Sequence, residues 1–152
     1  MLAVKTILCS TDFSEPSYEG LNYAIELATL FKADLCLTNV VPAVPPLPID
    51  PTFVFPIPEY ERELRSDSER KLRELIEQRV PKNLKVRTVI GYGDAGREIV
   101  RVAEDGRVDL IVMATTGLTG LRHMLFGSVA EKVVRLAACP VLTVRGPVAR
   151  AG

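Results

Sequence analysis

The chain has 152 residues and 47% hydrophobic composition, enough for a real core, and residues 1–152 are expected to form a single domain. Lys plus Arg and Asp plus Glu are equal at 19 each, which removes the positive field that nonspecific binding of nucleic acid or an anionic membrane requires. No apolar run approaches the roughly 20 residues that cross a bilayer, and "MLAVKTILCSTDFSE" turns polar too early for a secretory signal, so a cytoplasmic location is expected.

In chain order, "VKTILCST" is rich in β-branched and aliphatic residues and stops at Asp12. "FSEPSYEGLNYAIELATLFKA" then places Leu21, Ala24, Ile25 and Ala28 at helical spacing. Ser14 or Asp12 can cap that helix, and Pro16 fits its first turn, where a missing N–H costs nothing. "DLCLTNVV" reads as a second buried strand. Residues 42–58, "PAVPPLPIDPTFVFPIP", are too proline-dense for helix or central strand and read as an extended surface excursion. From Glu59 to Val80, the apolar stripe Tyr60, Leu64, Leu72, Leu75, Ile76 and Val80 predicts an amphipathic helix. Asp67, Ser68 and Lys71 interrupt the heptads that a coiled coil would need.

"LKVRTVIGYG" is a third strand, and "DAGREIVRVAEDG" a helix opened by Asp94 with Ile99, Val102 and Ala103 inward. "VDLIVMAT" is a continuous apolar fourth strand. "SVAEKVVRLAA" puts Val129, Ala130, Val133, Val134 and Ala137 on one helix face, and "CPVLTVRG" is a fifth strand. This alternation specifies an α/β fold: a doubly wound five-stranded parallel sheet with helices on both faces. With strand order 3-2-1-4-5, the polar ends of the first and fourth strands, "STD" (Ser10, Thr11, Asp12) and "ATTG" (Ala114 to Gly117), flank the reversal where open parallel sheets hold ligands.

The stretch "MATTGLTGLRHMLFGS" supplies phosphate-binding chemistry on one wall of that crevice. Ser128 followed by Glu131 reads as a capping box, and Gly127 before it lets a ligand approach the backbone. Gly117 and Gly120 permit a tight positive-φ turn, and Thr115, Thr116 and Thr119 offer hydroxyls. Glycine spacing alone fits a packing turn equally well. No G-x4-G-K-[ST] is present, no G-x-G-x-x-G follows the first strand, and an S-G-G-x-D-S pyrophosphatase loop is missing there too. The single histidine, His123, excludes a site built on several imidazoles. Cys9, Cys36 and Cys139 lie in apolar segments without metal spacing and read as buried thiols, Cys9 alone being placed near a polar strand end.

"ILCSTDFSEPSYEGLNYAIELA", "GREIVRVAEDGRVDLIVMATTG" and "GSVAEKVVRLAACPVLTVR" together resemble the universal stress protein family over nearly the entire chain. The resemblance implies a single nucleotide-binding domain of that kind. The family's ATP-binding branch carries G-x2-G-x9-G-[ST]; Gly117, Gly127 and Ser128 match it, and Ala114 replaces its first glycine. By resemblance, Asp12 contacts adenine and Val40 lines the base pocket, whereas by their own chemistry they are a helix cap and a core residue. The nucleotide-binding set is then Ser10, Thr11, Asp12, Val40, Met113, Ala114, Thr116, Gly117, Gly127, Ser128 and Val129, with the amides of Gly117, Gly127, Ser128 and Val129 on phosphate. ATP, carrying Mg2+, is the implied cofactor, with no catalytic or protein-held metal residue assigned. The resemblance also implies a homodimer through the last strand, and Val141, Leu142, Thr143 and Val144 form an uncharged apolar edge that invites one.

Three functions compete on these residues. The first is an ATP-binding stress-response switch with an unidentified signalling partner. The second is a dimeric interaction module in which Ala114 marks an abandoned pocket. The third is a slow ATPase, for which no base beside the γ-phosphate stands out; Arg122 and His123 read as solvated loop residues.

Overall fold

The computed structural model describes residues 3–44, 52, 57–117 and 126–146. Its elements run β1 (Thr6–Ser10), α1 (Glu15–Phe31), β2 (Asp34–Val41), α2 (Ile57–Arg79), β3 (Val86–Tyr92), α3 (Ala95–Asp105), β4 (Leu110–Ala114), α4 (Ser128–Leu136) and β5 (Val141–Val144). The strands form one sheet in the order β3-β2-β1-β4-β5, and every pairing is parallel, as the alternation predicts.

The sheet grows one way from β1 through β2 to β3, then restarts on the other side of β1 with β4 and β5. Because parallel crossovers are right-handed, reversing the direction of growth moves the helices to the opposite face. The packing shows this division. Alternate residues Ile7 and Cys9 of β1, Leu35 and Leu37 of β2 and Val112 of β4 pack with Leu21 and Ala24 of α1 and Leu72 and Leu75 of α2. Leu8, Cys36, Ile111 and Met113 point the other way, onto Ile99 and Val102 of α3 and Ala130 and Val133 of α4.

Local chemistry sets the helix ends. Ser14 caps α1 by accepting from the Ser17 amide at 3.3 Å, and Pro16 lies in the first turn. Asp12 is not the cap; its carboxylate instead accepts from the amide and hydroxyl of Ser14. Lys32 closes α1 in the left-handed conformation, leaving the Ala33 amide to bond Ala28 O at 2.9 Å. Asp94 caps α3 by accepting from the Arg97 amide at 3.0 Å.

Several expectations are corrected. α2 begins at Ile57, so Pro58, read as part of the proline-dense excursion, sits in the first helical turn, where proline is compatible with a helix. Tyr60 is exposed although the stripe placed it inward, because the buried positions of α2 start only at Ser68. Ser68, read as an interruption, is one of the helix's buried residues. On α4, Val129 and Val134 are exposed at 36% and 49%, and only Ala130 and Val133 are fully covered, because the short helix turns a narrow face to the sheet.

Lys132 of α4 bonds the Asp94 carboxylate at 2.8 Å and lays its stem against Gly96, tying α4 to the start of α3. Lys132 and the Arg97 amide hold the Asp94 carboxyl below its ordinary value of 3.8. A carboxyl depressed in the folded state stabilises the fold in full above that ordinary value, and the contribution is lost as pH falls through the lower folded value. The stability difference between native protein and Asp94→Asn, measured by urea unfolding followed by circular dichroism, is therefore expected to be largest at neutral pH and to close as pH falls below 3.8.

Candidate functional site

The carboxyl ends of β1 and β4 meet at the reversal, with the start of α1 after one and the start of α4 beyond the other. Between them lies a cleft of about 410 Å³. From β1 and its turn come Ser10, Thr11 and Asp12; from β2, Val40; from the end of β4, Met113, Ala114, Thr116 and Gly117; and from the start of α4, Gly127, Ser128 and Val129. The residues assigned from the sequence thus line one cavity. Loop residues Thr119, Gly120, Arg122 and His123 lie outside the described residues.

The two walls touch. A Cβ on Gly117 would overlap the Asp12 carboxylate, so the absence of a side chain there lets the turn after β1 sit against the end of β4. This differs from the expected reason for Gly117, a positive φ; among the described glycines only Gly93 has one, at φ 108°. Gly127 has φ −72°, open to any residue, and a Cβ there would sit 3.4 Å from Thr115 O, ordinary contact. Neither the fold's backbone nor its packing requires glycine at 127.

The start of α4 also differs from the capping box. Gly127 is the N-cap, Ser128 is the first helical residue, and no side chain caps the helix. Glu131 turns outward to Arg135, 2.8 Å away, and its amide donates to Gly127 O at 3.0 Å. The physical cause is the bond from the Gly127 amide to Thr115 O at 2.7 Å, which fastens the loop's end to β4 and begins the helix one residue earlier than expected. The Gly127 amide is therefore spent within the protein. Those of Ser128, Val129 and Ala130 precede the first intrahelical bond and have no helical acceptor. Ser128 is exposed and Ala130 buried, so this positive helix end opens directly onto the cleft. The start of α3 reaches the same cleft through Ala95 and Ile99.

Sequence reasoning missed Ser17, Thr38 and Asn39. Thr11 Oγ1 and Ser17 Oγ lie 2.8 Å apart in the interior, and Asn39 Nδ2 donates to Thr11 O at 2.8 Å. The available signal was a polar pair, Thr38 and Asn39, inside an apolar strand. Asp12 is the only ionisable side chain among the described lining residues. Cys9 borders this end of β1 but is fully buried, and desolvation pushes its thiol up to about 12, so it is inert rather than nucleophilic. Burial raises the Cys36 thiol too, whereas Cys139, read from the sequence as buried, is only half-buried, just before the edge strand β5, its thiol still raised by that partial burial.

This architecture defines a doubly wound α/β protein with its cleft at the topological switch point. Residues 3–145 match the universal stress protein family, and the chain belongs to it. It is 38% identical over 145 residues to universal stress protein MJ0531 of Methanocaldococcus jannaschii, covering 94% of this chain and 83% of that protein. A solved structure of protein MJ0577 from the same organism superposes with TM-score 0.77 at 31% identity, covering 97% and 99% of the two chains. At 22% identity the fold also matches a crystal structure of a universal stress protein in complex with cAMP, with TM-score 0.61 and coverage of 95% and 99%. No described helix is long and apolar enough to cross a membrane.

The two glycines are expected to respond differently to the same substitution. Gly117→Ala, whose methyl meets the far end of the Asp12 side chain, should turn that carboxylate away from Ser14 and lower the melting temperature by a few degrees, on the order of 1 kcal/mol for the lost hydrogen bonding. Gly127→Ala should leave it within about 2 °C. Calorimetry of both variants checks this, and equal losses would contradict the distinct roles assigned to the two positions.

Proposed function

We propose that this protein is a cytoplasmic ATP-binding regulatory protein, a stress-response switch rather than a fast enzyme. The observation that carries the reading is the start of α4: the Ser128 and Val129 amides have no helical acceptor and line the same cleft as Asp12 and Val40. The triphosphate lies on the Ser128 and Val129 amides, with the Thr116 hydroxyl beside them. Adenine lies toward Val40 and Asp12, whose carboxylate accepts from an exocyclic amine. The cAMP carried by a protein of the same fold is consistent with a nucleotide in this crevice, as a likeness of fold. No group of three or more metal-ligating side chains occurs among the described residues, and in this reading Mg2+ rides on the phosphates.

Ala114 favours a second reading, an interaction module with an empty cleft, because its methyl stands in the cleft wall where the family's motif has glycine. Denaturing freshly purified protein and chromatographing the released nucleotide separates the two. ATP is expected from the parent, and Gly127→Val is expected to lose at least about 100-fold in affinity, roughly 2.8 kcal/mol. A parent that arrives empty and ignores added Mg-ATP would favour the module.

The outer edge of β5 is the proposed seat of a homodimer through Val141, Leu142, Thr143 and Val144. β5 ends the sheet, Leu142 is 37% exposed, and Val134 and Leu136 of the neighbouring α4 are exposed at 49% and 45%. Sedimentation equilibrium is expected to show a dimer for native protein and a monomer for Leu142→Lys, which sets a charge on each side of the paired edges.

A further inference from the structure

Ser68 stands in the buried stripe of α2 with Leu72 and Leu75, at a spacing where a third large apolar residue would ordinarily pack. It is 4% exposed, and its hydroxyl donates to Asn39 Oδ1 at 2.7 Å. Asn39 is 9% exposed and passes the connection on, its Nδ2 donating to Thr11 O. Both hydrogen-bonding ends of the asparagine side chain are engaged, one toward α2 and one toward the turn after β1.

Thr11 and Phe13 enclose Asp12, and α2 grips both. The Thr11 carbonyl is fixed through Asn39 and Ser68, which sets the plane of the peptide entering Asp12. Phe13 adopts φ 63°, a left-handed conformation costly for a bulky side chain, and must be held there. Its amide donates to Thr11 Oγ1 at 3.0 Å, and the Lys71 ammonium of α2 lies 5.5 Å from its ring centre. A turn with such a residue relaxes when its restraints are removed, and the Asp12 carboxylate is redirected with it.

We infer that Ser68 and Asn39 are positioning residues that aim the Asp12 carboxylate into the cleft, and so set the preference for a base bearing an exocyclic amine. The second half of this inference rests on the nucleotide reading above. The first half is a property of the protein alone.

Amide hydrogen exchange on nucleotide-free protein tests the first half. The amides of Phe13 and Ser14, which bond Thr11 Oγ1 and Asp12 Oδ1, are expected to exchange about tenfold faster in Ser68→Ala than in native protein. In Leu72→Ala the acceleration spreads through the core without singling out that turn. Unchanged exchange at Phe13 and Ser14 in Ser68→Ala overturns the inference. If Ser68→Ala does not fold, Ser68→Cys, similar in size and a weak donor, takes its place with the same expected outcomes.

Calorimetric titration with ATP and with ITP, whose base lacks the exocyclic amine, tests the second half. The ATP-to-ITP affinity ratio should fall about tenfold in Ser68→Ala, stay at the native value in Leu72→Ala and return in Ser68→Thr, which keeps the hydroxyl. A ratio unchanged in Ser68→Ala overturns the assigned preference. Native protein that binds neither nucleotide defeats the nucleotide reading and the preference with it, while the exchange result still decides the positioning of Asp12.

Discussion

The pairing of β1 with β4 is the constraint on which the rest depends. These strands are far apart in sequence, yet they pair in parallel with Ile7 opposite Leu110, Leu8 opposite Ile111 and Cys9 opposite Val112. The Asp109 carboxylate secures the register by accepting from the amides of Lys5 and Thr6 at 2.8 and 2.9 Å, while its own amide donates to Thr6 O. A slip of one residue would exchange the two faces of β4, turning Ile111 and Met113 toward α1 and Val112 toward α3 and α4, so that both cores would have to repack. From this join follow the division of helices between two faces and the meeting of two polar strand ends at the opposite edge.

The cleft is the consequence of that meeting. Its two walls carry different chemistry because each strand end is followed by a different kind of turn. After β1 the chain tightens through Asp12 and a left-handed Phe13 into a helix capped by Ser14, and leaves a carboxylate at the wall. After β4 the chain returns at Gly127, is fastened to Thr115, and starts α4 with unbonded amides facing inward. An acceptor at one end and donors at the other suit a ligand with an amine-bearing group and an anionic tail. Gly117 lets the walls meet at their base.

α2 connects this crevice to the surface. Its charged residues are largely exposed, and many pair along the helix, as Arg70 does with Asp67 and Glu74; such exposed pairs contribute little stability. The helix is held instead by Leu72, Leu75 and the hydroxyl of Ser68, and the last of these leads through Asn39 to the turn that carries Asp12. A polar residue in the core stripe is tolerated because both partners in the chain of bonds are satisfied.

The amino-acid order by itself determined the alternation of strands and helices, the parallel sheet and the strand ends at which polar residues gather. These are local matters of hydrophobic period, caps and proline placement, and each element was readable from its own residues. The family motif also carried Asp12, Gly117, Gly127 and Ser128 to one cleft. Only the tertiary structure decided which hydrogen bonds close that cleft. Gly127 became the cap of α4 because its amide found Thr115, which no spacing between Ser128 and Glu131 reveals. Gly117 proved to be small for Asp12, a residue on another strand end, rather than for its own backbone angle. Ser68 looked like a flaw in a helix stripe until Asn39, on a strand beneath it, supplied its partner. Local pattern reports what a residue can do with its neighbours in the chain, whereas a buried polar group is explained by whichever distant partner the packing brings within about 3 Å.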